Sequence, residues 1–162
     1  MSDLRISSAE TAADIAAAVT LFRAYAASLP VDLGYQNFEA ELAAMPGKYA
    51  PPGGALLLAR GADGAAIGCV ALRPMDEPGC CEMKRLYVAP EGRGSGLGRA
   101  LVEAIIGEAT RLGYREIRLD TLATMTGAIA LYRKSGFVPT AAYYDTPIEG
   151  TIFLARVIAP QG

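Results

Sequence analysis

From residue 11 the apolar positions of the chain fall at helical spacing. Ile15, Val19, Phe22 and Ala26 recur through TAADIAAAVTLFRAYAASL, which predicts an amphipathic helix. Thr11 and Asp14 fit a capping box at its start, each side chain able to accept from the other's backbone N–H. A second, shorter helix is predicted for YQNFEAELAAM, with Phe38, Leu42 and Met45 on one stripe and Pro46-Gly47 ending it, and SLPVDLG is a loop between the two. The pattern changes after the punctuated stretch PGKYAPPGG. Three apolar runs follow, ALLLAR (55–60), AAIGCVALR (65–73) and CCEMKRLYV (80–88), separated by Asp63-Gly64 and by DEPG. Such runs with short turn signals predict an antiparallel meander.

Beyond a glycine-rich stretch, Leu101, Ile105, Ala109 and Leu112 return to helical spacing, and Gly113 suits the left-handed position after the helix end. REIRLDTL reads as a strand. A strand, a crossover helix and a strand form a parallel, right-handed pair. TMTGAIALYRKSGF reads as a short helix with Ile129, Leu131 and Tyr132 apolar, Arg133-Lys134 near its end and Gly136 as cap. FVPTAAYY and TIFLARVI flank DTPIEG and are predicted to pair antiparallel. The expected fold is α+β in three layers, α/β/α: a mixed, mostly antiparallel sheet with one parallel β-α-β crossover. It forms one domain over residues 1–162, helical over 1–50 and sheet-bearing over 55–158.

Composition narrows the chemistry. With 162 residues, 52% of them hydrophobic, the chain can bury a substantial core. No apolar run approaches the roughly 18 residues that cross a bilayer, and MSDLRISS has neither the basic flank nor the apolar centre of a signal peptide. A soluble, cytoplasmic protein without membrane contact is therefore expected. Cys69, Cys80 and Cys81 make no ligand or disulfide framework, and there is no histidine. This removes Ser-His-Asp and Cys-His catalysis and the commonest metal ligand, so no metal is expected and acid-base work falls to Glu, Asp, Tyr, Cys or Lys. A net charge of −2 argues against general nucleic-acid binding. Residues 1–79 hold 5 basic and 9 acidic residues and residues 80–162 hold 10 and 8, so the second half suits an anion and the first leans towards a cation.

Gly94, Gly96 and Gly98 stand just before the third helix. A helix N-terminus carries unpaired N–H groups and about half a positive charge, and glycines let an anion reach those donors. Arg93 and Arg99 bracket this phosphate cradle, and Lys84 and Arg85 stand nearby on the preceding strand. A Walker loop does not fit. The dinucleotide pattern GxGxxG needs glycine or alanine where Arg99 stands. Asp120 sits about where a ribose-binding acid would, but too little chain remains for a doubly wound sheet, so a dinucleotide-binding oxidoreductase is the weaker alternative.

RGSGLGRAL matches the R/Q-x-x-G-x-G/A motif at Arg93, Gly96 and Gly98, and ALYRKSGF resembles LYxKxGF, with Tyr132 and Gly136-Phe137. With EMKRLYVAP before the loop and IRLDTL after the helix, the chain resembles the GNAT superfamily of acetyl-CoA-dependent N-acetyltransferases over about residues 55–158. The resemblance implies transfer of an acetyl group from acetyl-CoA to a primary amine of a small molecule, by direct attack in a ternary complex. A non-catalytic acyl-CoA sensor is the alternative within the same fold. The pantetheine arm would lie along Leu86, Tyr87 and Val88, and the pyrophosphate on the N–H groups of Gly94, Ser95, Gly96, Leu97, Gly98 and Arg99, beside Arg93. A peptide N–H near Val88 would face the developing oxyanion.

An alkylammonium with a pKa near 10.4 must lose a proton before it attacks. By its likeness to the glutamate of histone-acetylating members, Glu82 is the candidate base. Tyr132 matches the tyrosine that returns a proton to the leaving thiolate. Many members carry asparagine where this chain has Met125, so that contact is absent or falls to Thr124 or Thr126. Acylation of Cys80 or Cys81 would require a base or a lowered pKa. The acceptor is expected between the first two helices and the loop joining the last two strands, with Phe22, Tyr25, Asp32, Tyr35, Tyr143, Tyr144 and Asp145 as lining candidates and the aspartates suited to a cationic amine. Family members often pair as homodimers, for which the last strand is a plausible edge.

Overall fold

The computed structural model describes residues 4–158, apart from the side chain of Tyr35. Seven strands, β1 (Arg5–Ser8), β2 (Ala55–Arg60), β3 (Ala66–Pro74), β4 (Cys80–Val88), β5 (Glu116–Leu122), β6 (Val138–Pro139) and β7 (Thr151–Val157), form one sheet. Their order is β1-β2-β3-β4-β5-β7-β6, and every neighbouring pair is antiparallel except β4–β5. The α-helices among the described residues are α1 (Ala12–Ala27), α2 (Phe38–Ala43), α3 (Leu97–Arg111) and α4 (Thr126–Lys134), and α3 is the crossover between the parallel strands.

Side-chain alternation along the strands builds the three layers. Leu57, Val70, Leu72 and Met83 pack on one face with Leu101, Val102 and Ile105 of α3 and Tyr132 of α4. Leu56, Leu58, Cys69 and Ala71 pack on the other with Leu21 and Phe22 of α1 and Phe38 and Leu42 of α2. Each fully buried Leu, Ile or Phe contributes about 1.5–3 kcal/mol by leaving water. The capping box at the start of α1 is present: Asp14 N donates to Thr11 Oγ1 at 3.0 Å, and Thr11 N to Asp14 Oδ2 at 3.3 Å. Arg60 adds an ion pair at 2.7 Å. The backbone bond from Glu10, the largest cause, together with Arg60 and Thr11, lowers the Asp14 carboxyl to about 2.

Three elements differ from the sequence expectation. RISS forms the edge strand β1, held by its pairing with β2 rather than by apolar side chains. The predicted second helix divides into a 3-10 turn, Leu33–Gln36, and a six-residue α2, because Asn37 between them is left-handed at φ 58°. Only Val138–Pro139 of FVPTAAYY is strand. The rest is a loop that carries Tyr143 and Tyr144 across the sheet.

The parallel pairing sets up the site. β4 meets β5 only from Cys80–Glu82, opposite Glu116–Arg118, although both strands continue. On its other side, β4 is matched to β3 at Lys84↔Ala71 and Tyr87↔Cys69, so β4 holds one more residue than β3 over that step. The extra residue is a β-bulge at Arg85, whose φ of 62° is left-handed. The bulge bends β4 away from β5 and opens a wedge in the middle of the sheet.

Candidate active site

One end of the wedge is made of backbone. After a 3-10 turn at Pro90–Gly92 the chain passes through Gly94 (φ 80°) and Gly96 (φ 79°), and Gly96 caps α3 with no side-chain bond. The first helical bond after the loop is Ala100 N to Gly96 O. The N–H groups from Gly94 to Arg99 donate to no acceptor among the described residues. A Cβ at Gly94 or Gly96 would meet no atom within 4 Å, so the space in front of these donors is open. Leu97, 2% exposed, anchors the first turn of α3 in the core. Arg93 Nε donates to Val88 O at 3.1 Å and its guanidinium lies 5.9 Å from the Tyr87 ring centre, so Arg93 ties the loop to the strand end. A cavity of about 610 Å³ runs from these donors past Leu86, Tyr87 and Val88 to Met125, Ala128 and Leu131. Oriented donors, the positive end of a helix and an apolar corridor together fit a diphosphate carrying a thin arm.

That cavity meets a narrower cleft through Tyr25, Leu86 and Met125, which line both. Tyr132 and Asp120 line the inner cleft. Tyr132 is 7% exposed, packs edge-on to Phe137 at 6.0 Å, and its hydroxyl has no hydrogen-bond partner among the described residues. Burial, helped by Tyr25 and Asp120, pushes its phenol up, so it stays protonated at neutral pH. Asp120 Oδ2 accepts from the Tyr144 hydroxyl, and Oδ1 has no partner among the described residues. Met125, at the head of α4, turns its sulfur towards Thr121 Oγ1 at 3.9 Å and presents an apolar surface to both cavities. Thr124 and Thr126 line neither.

The opposite wall is a buried polar network. Glu82, 2% exposed, takes Arg73 on Oε1 at 2.8 Å and the Tyr143 hydroxyl on Oε2 at 2.6 Å. Burial acts to raise its carboxyl, but Lys84, Arg73 and the Tyr143 bond outweigh it and hold the group below the usual carboxylate range. Glu82 therefore opens on a depression beside Arg73 and Tyr143 and does not line the cleft that contains Tyr132. Arg85, 4% exposed, makes a two-pronged pair with Glu41 at 2.8 and 3.0 Å, donates to Gln36 Oε1 at 2.9 Å and lies 5.2 Å from the Phe38 ring. Lys84, 6% exposed, donates to the same Gln36 oxygen at 3.1 Å. Burial lowers the Lys84 ammonium against the pull of Glu82.

Several sequence assignments move as a result. Lys84 and Arg85 do not serve the phosphate cradle: the bulge turns them to the α2 side, where Gln36 and Glu41 engage them. Phe22 does not line the site, being 0% exposed and packed edge-on to Tyr49 in the core. Asp32 caps the 3-10 turn through Gly34 N at 2.7 Å, and Asp145 is exposed. The side chain of Tyr35 lies outside the described residues. Tyr25 lines the cleft, and Tyr143 and Tyr144 reach the polar wall through Glu82 and Asp120. Burial pushes the Cys69 and Cys81 thiols up to about 12 and also raises Cys80, so none is an activated nucleophile. Among the described residues no group of three or more Cys, Asp or Glu side chains could hold a metal, and no helix is long and apolar enough to cross a membrane. Gln36, Glu41 and Arg73 have no motif around them, and only their contacts reveal them.

A mixed sheet split at a parallel pair, with a glycine-capped helix at the split, defines an acyltransferase-type fold. The model of the Acetyltransferase (GNAT) family matches residues 19–137. An uncharacterized N-acetyltransferase of Schizosaccharomyces pombe is 44% identical over 153 residues, 94% of each chain. Among solved structures, a GCN5-related N-acetyltransferase from Kribbella flavida superposes with a TM-score of 0.71 at 25% identity, covering 96% of this chain and 98% of that one. A GNAT-family acetyltransferase from Staphylococcus aureus gives 0.78 at 16% identity, covering 95% and 98%. The chain belongs to the GNAT acetyltransferase family.

Proposed function

We propose that this chain transfers the acetyl group of acetyl-CoA to the primary amine of a small molecule, by direct attack with both substrates bound. The observation that carries the reading is the run of unpartnered N–H groups from Gly94 to Arg99, opening into a cavity that adjoins the cleft lined by Tyr132. Those donors and the α3 N-terminus would hold the diphosphate, and Leu86, Tyr87 and Val88, on the edge that β4 turns away from β5, would hold the arm. Acetyl-CoA, when bound, supplies an electrophilic thioester carbon and a thiolate leaving group.

The chain's own residues then have distinct tasks. Tyr132 Oη holds its proton because it is buried, and gives it to the departing sulfur. The proton of the acceptor ammonium needs a carboxylate within reach of the cleft. Asp120 lines that cleft with Oδ1 unengaged, whereas Glu82 has both oxygens occupied and its charge neutralised by Arg73. Asp120 is therefore assigned as the proton acceptor, and Glu82 as the residue that fixes Arg73 and Tyr143 in the wall.

Coenzyme A binding by calorimetry and thiol release across an amine panel test this reading. Tyr132→Phe and Asp120→Asn are each expected to lower kcat by about 10²–10⁴ with coenzyme A affinity retained. Glu82→Gln is expected to change KM for the amine more than kcat. If Glu82→Gln rather than Asp120→Asn removes the acid limb of the pH profile, the base assignment reverses. If coenzyme A gives no heat, the transferase reading is wrong.

A further inference from the structure

Among the described residues Lys84 is the cation of the polar wall that makes no ion pair, Glu82 acting on it only from a distance. Arg85 is matched by Glu41, and Arg73 by Glu82. Lys84 has only the Gln36 amide oxygen, and no carboxylate lies within 4.0 Å of its nitrogen among the described residues. A buried ammonium without a directly paired anion is costly, and a carboxylate of a bound ligand would complete it. Lys84 also stands where a ligand would pass. It lines the cleft that contains Tyr132 and Asp120, and it lines a neighbouring depression of about 250 Å³ with Arg73, Arg85 and Asn37. Lys48 and Arg73 line the surface depressions next to it, with Glu41, Asp76 and Glu82 beside them.

We infer that Lys84 receives a carboxylate of the acceptor, so that the amine acetylated belongs to a free amino acid, its ammonium directed at Asp120 and its carboxylate at Lys84. The assignment rests on the transferase reading of the same cleft and adds the substrate class. Opposite charges on the two walls, Asp120 on β5 and Lys84 on β4, would orient a zwitterion across the wedge, whereas a plain alkylamine would meet only one of them.

The test uses the full-length protein saturated with coenzyme A, titrated calorimetrically with the free amino acids and, in parallel, with their α-carboxamides. At least one free acid is expected to bind, and its amide to bind about tenfold to a hundredfold more weakly, the range for losing a charge-assisted bond. Lys84→Met is expected to weaken the acid to the level of the amide and leave the amide unchanged, while Lys84→Arg keeps the preference. Unchanged coenzyme A affinity in both variants shows an intact fold, and the wild-type comparison of acid with amide stands without them. The assignment is overturned if no free amino acid binds, if amides bind equally well, or if Lys84→Met retains the preference. Thiol release from acetyl-CoA, measured in separate reactions with the same acids and amides, separates the two readings. Acid-selective, Lys84-dependent binding without thiol release would keep the carboxylate site at Lys84 and sink the transferase. Equal thiol release from amines that lack a carboxylate would keep the transferase and sink this assignment.

Discussion

The two ends of the wedge are built by opposite means. At the glycine end the working atoms are peptide N–H groups of one short segment, Gly94 to Arg99, positioned by left-handed turns and by the first turn of α3. At the proposed acceptor end they are side chains from distant parts of the chain: Gln36 and Glu41 around α2, Arg73 on β3, Lys84 and Arg85 on β4, and Tyr143 on the last loop. A backbone site depends on conformation and tolerates changes in distant side chains. A side-chain site depends on long-range packing, and its chemistry can change one residue at a time. The proposed division of labour, a fixed cosubstrate end and a variable acceptor end, follows from that difference in construction.

The largest expected effect lies at the acceptor end. Glu41→Ala would leave the Arg85 guanidinium, 4% exposed, with Gln36 as its remaining hydrogen-bond partner. Breaking a buried pair by removing one partner costs about 3–5 kcal/mol. Chemical denaturation should show a loss of that size, accompanied by weakened acceptor binding, while the protein that remains folded binds coenzyme A within a few-fold of the parent. A loss under about 1 kcal/mol would mean that solvent already reaches Arg85, and the wall would not be the rigid element described.

The same contrast explains what could be read before the structure. The helix α3, the meander and the strand β5 are specified by local periodicity and turn residues, and the glycine loop by conformational needs that only neighbouring residues meet, so these emerged from the sequence with nearly their observed bounds. The capping box at Thr11 and Asp14 is local in the same sense. By contrast, β1 is a strand only because β2 offers it a pairing edge, and RISS carries no pattern of its own. The site divides likewise. Tyr132 and the loop donors were legible, whereas the bulge at Arg85 appears only in the mismatch of register between β3 and β4. That bulge turns Lys84 and Arg85 towards Gln36 and Glu41 instead of the glycine loop. Phe22 was misplaced for a related reason, since an aromatic at helical spacing does not reveal which neighbour will cover it.

At the glycine end a smaller perturbation should act on binding alone. In Gly96→Ala the added methyl meets no atom within 4 Å, so the cost is conformational: an L-residue at φ 79° is strained by about 1–2 kcal/mol. In the free protein the loop relaxes to relieve that strain and turns the donors away, so coenzyme A, which needs them in place, should bind about tenfold more weakly. Acceptor-side markers such as amino-acid selectivity should not change. Loss of amino-acid selectivity in Gly96→Ala would show that the two ends are coupled, and the comparison would fail.

Within α3 a third glycine sharpens the point with the opposite sign. Gly107 lies in the middle of the helix, exposed, with ordinary helical backbone and nothing within 4 Å of an added Cβ. It bears on neither end of the wedge. Alanine there removes backbone freedom from the unfolded chain without strain in the folded one, so Gly107→Ala should raise the unfolding free energy by about 0.5–1 kcal/mol. Coenzyme A affinity and turnover should match the parent, because the donors at residues 94–99 are set by the loop and not by the stiffness of the helix behind them. If Gly107→Ala instead alters coenzyme A binding, the motion of α3 contributes to the cradle, and the fixed character assigned to this end is wrong.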